Sequence, residues 1–152
     1  MPRYHAKGDQ TLTTALTTAL TVGSNATTAQ RNKIDEYVLS IQLTPSDSQI
    51  SWTIQRCTAL GTNSAVTPVG ADDGADRVAQ ALIGKNHTVE PTLTANAFII
   101  EAMNLNARAT YRWVAPPGGE LITPATAANG LAWLALHASR TEDFGVQSAW
   151  SE

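Results

Sequence analysis

A single cysteine, Cys57, is all that this chain of 152 residues contains. No intrachain disulfide can form, so the fold must rest on its own core, and Cys57 itself is expected as a small buried hydrophobe. Charge is scarce as well: 15% of residues are Asp, Glu, Lys or Arg, against about 25% in an average globular protein. The net charge is −3, and basic residues cluster only at Arg3, His5 and Lys7. A nucleic-acid ligand normally requires a broader basic patch, so nucleic acid is not an expected partner. No apolar run approaches the ~20 residues of a membrane-spanning helix, and no membrane partner is expected. The opening Met-Pro-Arg-Tyr-His lacks the apolar segment of a signal peptide, which implies assembly inside a cell.

Catalytic and ligating residues are equally thin. His5, His87 and His137 lie far apart, without Cys, Asp or Glu at metal-ligand spacing, and are expected at the surface or at edges. Asp72-Asp-Gly-Ala-Asp76 resembles half of a calcium loop but lacks the alternating acids and the closing Glu. It suits a solvated loop or a helix cap. No Gly-x-Ser-x-Gly elbow and no phosphate-binding loop occur. Glu90, Glu101 and Glu120 could supply a carboxylate pair, as almost any β protein could. The expectation is no enzyme, no catalytic residue, no metal and no cofactor.

What the chain has instead is threonine and alanine, 20 and 24 residues respectively. Threonine favours a pleated, half-buried surface and disfavours helix. Residues 11–22 repeat Thr-Thr-Ala-Leu, which sets Leu12, Leu16 and Leu20 on one face of a strand. Residues 34–44 and 49–58 alternate strictly and read as an antiparallel hairpin closed by the turn cluster at 44–48. Trp52 is the expected core anchor. Residues 59–73 read as a long connection. A short helix follows, capped by Asp72 or Asp73, with Val78 and Leu82 four apart and Gly84 at its end. Residues 88–93, 98–105, 108–115, 131–138 and 146–150 read as strands, and 121–126 as an edge segment. These elements predict an all-β, single-domain jelly roll: a sandwich of about eight antiparallel strands with at most one or two short helices. Residues 1–8 read as a flexible N-terminal arm, and residues 9–152 as the jelly-roll domain.

Two segments are candidates for partner contact. In the arm, Arg3, His5 and Lys7 interleave with Tyr4. In residues 131–138, apolar side chains occupy both faces, more than one core needs, which marks Leu131 and Trp133 as interface residues. Trp133 and Trp150 are also the aromatics that could stack on a sugar.

Four tracts carry a resemblance. They are Thr44-Pro-Ser-Asp-Ser-Gln-Ile-Ser-Trp-Thr-Ile-Gln-Arg56, Gly61-Thr-Asn-Ser-Ala-Val-Thr-Pro68, Tyr111-Arg-Trp-Val-Ala-Pro-Pro-Gly-Gly-Glu120 and Pro124-Ala-Thr-Ala-Ala-Asn-Gly130. From about residue 11 onward, in this order, the chain resembles the small jelly-roll head decoration, or cement, proteins of tailed bacteriophages. The resemblance implies a virion structural protein on the capsid exterior, assembled in the bacterial cytoplasm. Its partners would be the major capsid protein and further copies of itself, a trimer ahead of a dimer. It implies no active site. The rival readings are a carbohydrate- or receptor-binding jelly roll of a phage tail or fibre, and an enzyme on a cupin-like barrel, which needs a metal triad.

Overall fold

The computed structural model describes residues 1–42, 44–71, 77–95, 98–138 and 141–152. Thirteen strands follow in chain order: β1 (Arg3–Thr11), β2 (Thr17–Gly23), β3 (Lys33–Ile41), β4 (Gln49–Ala59), β5 (Thr62–Ala65), β6 (Val69–Gly70), β7 (Leu82–Val89), β8 (Thr92–Leu93), β9 (Ile99–Asn106), β10 (Tyr111–Val114), β11 (Leu121–Ile122), β12 (Gly130–Leu136) and β13 (Asp143–Ser151). Eight of them run seven residues or more, and no α-helix occurs among the described residues. One sheet takes the order β10-β3-β13-β1-β6 with β11 also on β3; the other takes β5-β7-β2-β12-β4-β8 with β9 also on β4. The two antiparallel sheets face each other as a jelly-roll sandwich, as the threonine load and the alternation predict.

The alternating positions build the core. Tyr37, Leu39, Ile50, Trp52, Ile54, Leu131, Trp133, Phe144, Val146 and Trp150 are all buried between the sheets. Trp52 meets Phe144 edge to face at 5.3 Å, and Tyr37 stacks on Trp113 at 5.2 Å. β1 lies so close over β2 that a Cβ at Gly8 would stand 2.2 Å from the Ala19 carbonyl oxygen. Only glycine fits there.

Several expectations give way. Residues 34–44 and 49–58 are not a hairpin, because β3 and β4 lie in different sheets. The segment between them carries the chain from one sheet to the other; Leu43, which continues the alternation of Tyr37, Leu39 and Ile41 along the sequence, lies outside the described residues. Alternation specifies which face meets the core, but not which strand is the neighbour. Residues 11–22 are not one strand either. β1 ends at Thr11, β2 begins at Thr17, and between them the Thr13 hydroxyl accepts a hydrogen bond from the Ala15 amide at 3.1 Å. Leu12 and Leu20 are buried while Leu16 is exposed. The expected helix over 72–84 is replaced at its end by β7, which starts at Leu82. Its caps Asp72 and Asp73, and Asp76 of the half calcium loop, lie outside the described residues.

Residues 1–8 are not an arm. β1 pairs with β13 along its whole length, from Arg3 opposite Ser151 to Thr11 opposite Asp143, and with β6 on its other side. Tyr4, Ala6 and Gly8 point inward and are buried. The domain therefore includes the N-terminal strand.

β12 is buried on both faces, yet no second subunit is required for that. Leu131, Trp133 and Ala135 enter the main core. Ala132 and Leu134, on the other face, form a second small core with Cys57, Leu60 and Leu93. β8 continues the sheet beside β4, with Leu93 opposite Cys57 and the Thr94 amide bonded to the Arg56 carbonyl, and so sets Leu93 against this small core. Burial pushes the Cys57 thiol up to about 11. The thiolate is the reactive form, so alkylation at mildly alkaline pH should be about 100-fold slower in the folded protein than in denaturant. A folded-state rate equal to the denatured rate would show that this small core stands open.

Candidate contact surfaces

The outward face of the β1-containing sheet gathers the basic residues singled out in the sequence. Arg3, His5 and Lys7 alternate with inward Tyr4 and Ala6, so a strand separates what looked like one cluster. Across the sheet the register sets Val69, His5, Ala149, Glu36 and Val114 in one row. The valines at its ends are 68% and 55% exposed. The next row is Lys7, Gln147, Val38 and Arg112.

Most charges on this face are matched within the chain. Arg112 donates two hydrogen bonds to the Glu36 carboxylate, at 2.7 and 3.0 Å. These bonds hold the Glu36 carboxyl below its ordinary range. Arg3 lies 3.6 Å from Asp35, and Lys85 lies 2.9 Å from Asp9. Burial nevertheless raises the Asp35 carboxyl, with Arg3 working against it. Lys7 forms no ion pair among the described residues. Exposed pairs of this kind contribute little stability, about 0–1 kcal/mol each. Their effect is on the surface: a face of matched charges and exposed valines is cheaper to cover than one of free charges.

Of the expected contact residues, Arg3, His5 and Lys7 share this face. Tyr4 does not: it is buried, tilted against Trp150 at 6.0 Å, and its hydroxyl donates to the Arg77 carbonyl. Burial raises that phenol, with Glu152 adding to the rise. Leu131 and Trp133 are both 0% exposed, so neither can meet a partner from the folded domain. Trp150 is equally buried, which removes both tryptophans expected to stack on a sugar.

Two of the three histidines are interior rather than superficial. His87 lies under the outer face of the other sheet, 3.3 Å from the Thr21 hydroxyl. Burial lowers its pKa, opposed by nearby Glu90. His137 Nε2 is 2.9 Å from Ser48 Oγ, which is 2.6 Å from Ser46 Oγ. Ser46 in turn donates to Glu142, whose carbonyl accepts the Leu12 amide. A serine beside a histidine is also how a nucleophile is activated. Here the Ser48 hydroxyl is shared with a second serine in a chain of bonds that ties three loops at one end of the sandwich. The partners stand 89 and 96 residues apart, and no motif marks them in the sequence.

Elsewhere an open groove of about 550 Å³ runs beside β5 and β7 over Leu60, Val66, Ala81 and Ile83; among the described residues that line it, Asn63 has the one polar side chain. Among the described residues no three His, Cys, Asp or Glu side chains come together to hold a metal ion, and no helix is long and apolar enough to cross a membrane. The described residues thus define an antiparallel jelly-roll sandwich whose distinctive surface features are covered sheet faces, matched charges and open strand edges. No protein-family model matches the chain, and no curated protein matches it.

Proposed function

We propose that this chain is a virion structural protein that decorates and stabilises the head of a tailed bacteriophage. It works by protein–protein contacts on the capsid exterior, with the major capsid protein and further copies of itself as partners. The observation that carries the reading is the outward face of the β1 sheet, where ion pairs close within the chain between two exposed valines. Such a face loses little solvation when a neighbour covers it. The four tracts that resemble decoration proteins support it independently, and so does the jelly-roll fold. The sugar-binding rival has lost Trp133 and Trp150, the side chains on which it rested.

Co-sedimentation with undecorated heads of the source phage tests the reading. The full chain should pellet with the heads and raise the temperature at which they rupture. Replacing Val69 and Val114 by Asp should weaken capture at least about tenfold, since two buried charges would go unpaired. Full-length protein that stays in the supernatant overturns the reading. Heads that bind the double variant as well as the wild type place the contact on another face.

A further inference from the structure

We propose that the open edge of β9 pairs with the same edge of a second copy, joining two sandwiches through one continuous sheet. β9 and β10 follow each other in the chain but lie in different sheets, each outermost in its own. Among the described residues β9 pairs only with β4, and β10 only with β3. One flank of the sandwich therefore carries two open edges, of eight and four residues. An open edge is a row of unpaired backbone donors and acceptors, ready for another strand.

Edges that stay free are guarded by lysine, proline or a charge. β9 contains neither lysine nor proline. Its single charged residue, Glu101, points between the sheets and accepts a hydrogen bond from the Tyr37 hydroxyl. That charge is already engaged within the chain. The outward side chains are Ala102, Asn104 and Asn106, all neutral and exposed. Phe98 and Ile99, before and at the start of β9, are 54% and 37% exposed, and Val114 at the end of β10 is 55% exposed. Because the chain reverses between the two strands, these apolar residues lie at one end of the flank.

The strand's fit to itself identifies the occupant. Its pairing with β4 is irregular opposite Ile54 and Gln55 and regular from Glu101 to Asn106. A two-fold antiparallel pair centred on Asn104 places Met103 opposite Leu105 of the second copy, and Ala102 opposite Asn106. Glu101 falls opposite Ala107, so no like charges meet. Asn104 faces its own equivalent. Its Oδ1 accepts the Ser51 hydroxyl at 2.7 Å, which leaves the amide nitrogen to donate across the pair. The inference stands on these edges and not on the decoration reading, so either can fail alone.

Sedimentation velocity of the full chain should show a dimer that dissociates on dilution. Asn104→Lys sets two like charges face to face at the centre and should weaken the dimer at least about tenfold. Position 104 is exposed, so dilute Asn104→Lys should melt like dilute wild type. Mixing Asn104→Lys with Asn104→Glu should restore a mixed dimer, which a nonspecific contact would not do. A wild-type monomer or trimer, an Asn104→Lys dimer as tight as wild type, or no recovery in the mixture overturns the proposal.

Discussion

Removal of residues 1–8 is expected to abolish the native fold. β1 is an interior strand with β13 on one side and β6 on the other. The deletion strips β13 of its partner from Arg3 to Gly8 and exposes the floor on which Tyr4 and Ala6 rest. Truncating a buried aromatic alone costs roughly 3–5 kcal/mol. Each ladder hydrogen bond adds about 1 kcal/mol. Together these reach a stability that for most domains is only about 5–15 kcal/mol. The truncated chain should lack a cooperative thermal transition and give collapsed amide dispersion in a proton–nitrogen spectrum. Two point variants separate the strand from a charged tail. Tyr4→Ala should lower stability by several kcal/mol, while exposed Lys7→Ala should stay within about 0.5 kcal/mol of wild type. A truncated protein that melts like the full chain would show that β1 is dispensable, and the arm reading would return.

That strand was legible in the residues. Tyr4, Ala6 and Gly8 alternate with Arg3, His5 and Lys7, the period of two that marks a half-buried strand. Three basic side chains within five residues suggest a solvated tail, and the small inward residues Ala6 and Gly8 carry too little hydrophobicity to oppose that impression. The faces of β3, β4 and β12 were legible for the same reason that the arm was not: Tyr37, Trp52 and Trp133 are large. Pairing was not legible. β3 and β4 both alternate cleanly, but alternation is satisfied equally by a hairpin and by a crossing between sheets. The two apolar faces of β12 were read correctly, but the sequence does not show that Cys57, Leu60 and Leu93 pack with one of them. Of the candidate contact residues, the polar ones emerged on the surface and the apolar ones in the core. Hydrophobicity near an interface and hydrophobicity in a core look the same along a chain. The chain of bonds from His137 through Ser48 and Ser46 to Glu142 had no sequence signal, because spatial neighbours so far apart in the chain leave no spacing to read.

Trp52→Ala should be the most damaging single substitution on β4, lowering stability by about 3–5 kcal/mol. Trp52 is 3% exposed, and its neighbours in register explain why an indole fits there. On one side stands Ala135 of β12, on the other Met103 of β9. A small residue beside a large one leaves room for the ring, and a flexible thioether fills what is left. From the opposite sheet Phe144 meets the ring edge to face, at 70° between planes. Truncation therefore leaves a cavity whose walls belong to both sheets, and the backbone ladders on either side of β4 prevent it from closing. For a domain of this size each kcal/mol lowers Tm by about 2–4 °C, so a fall of about 6–20 °C is expected. A double-mutant cycle with Phe144→Ala should show coupling of about 0.5–1.5 kcal/mol from the aromatic pair itself. A fall below about 2 °C would show that the sheets close over the gap. Zero coupling would show that Trp52 and Phe144 share a core without contributing to each other's stability.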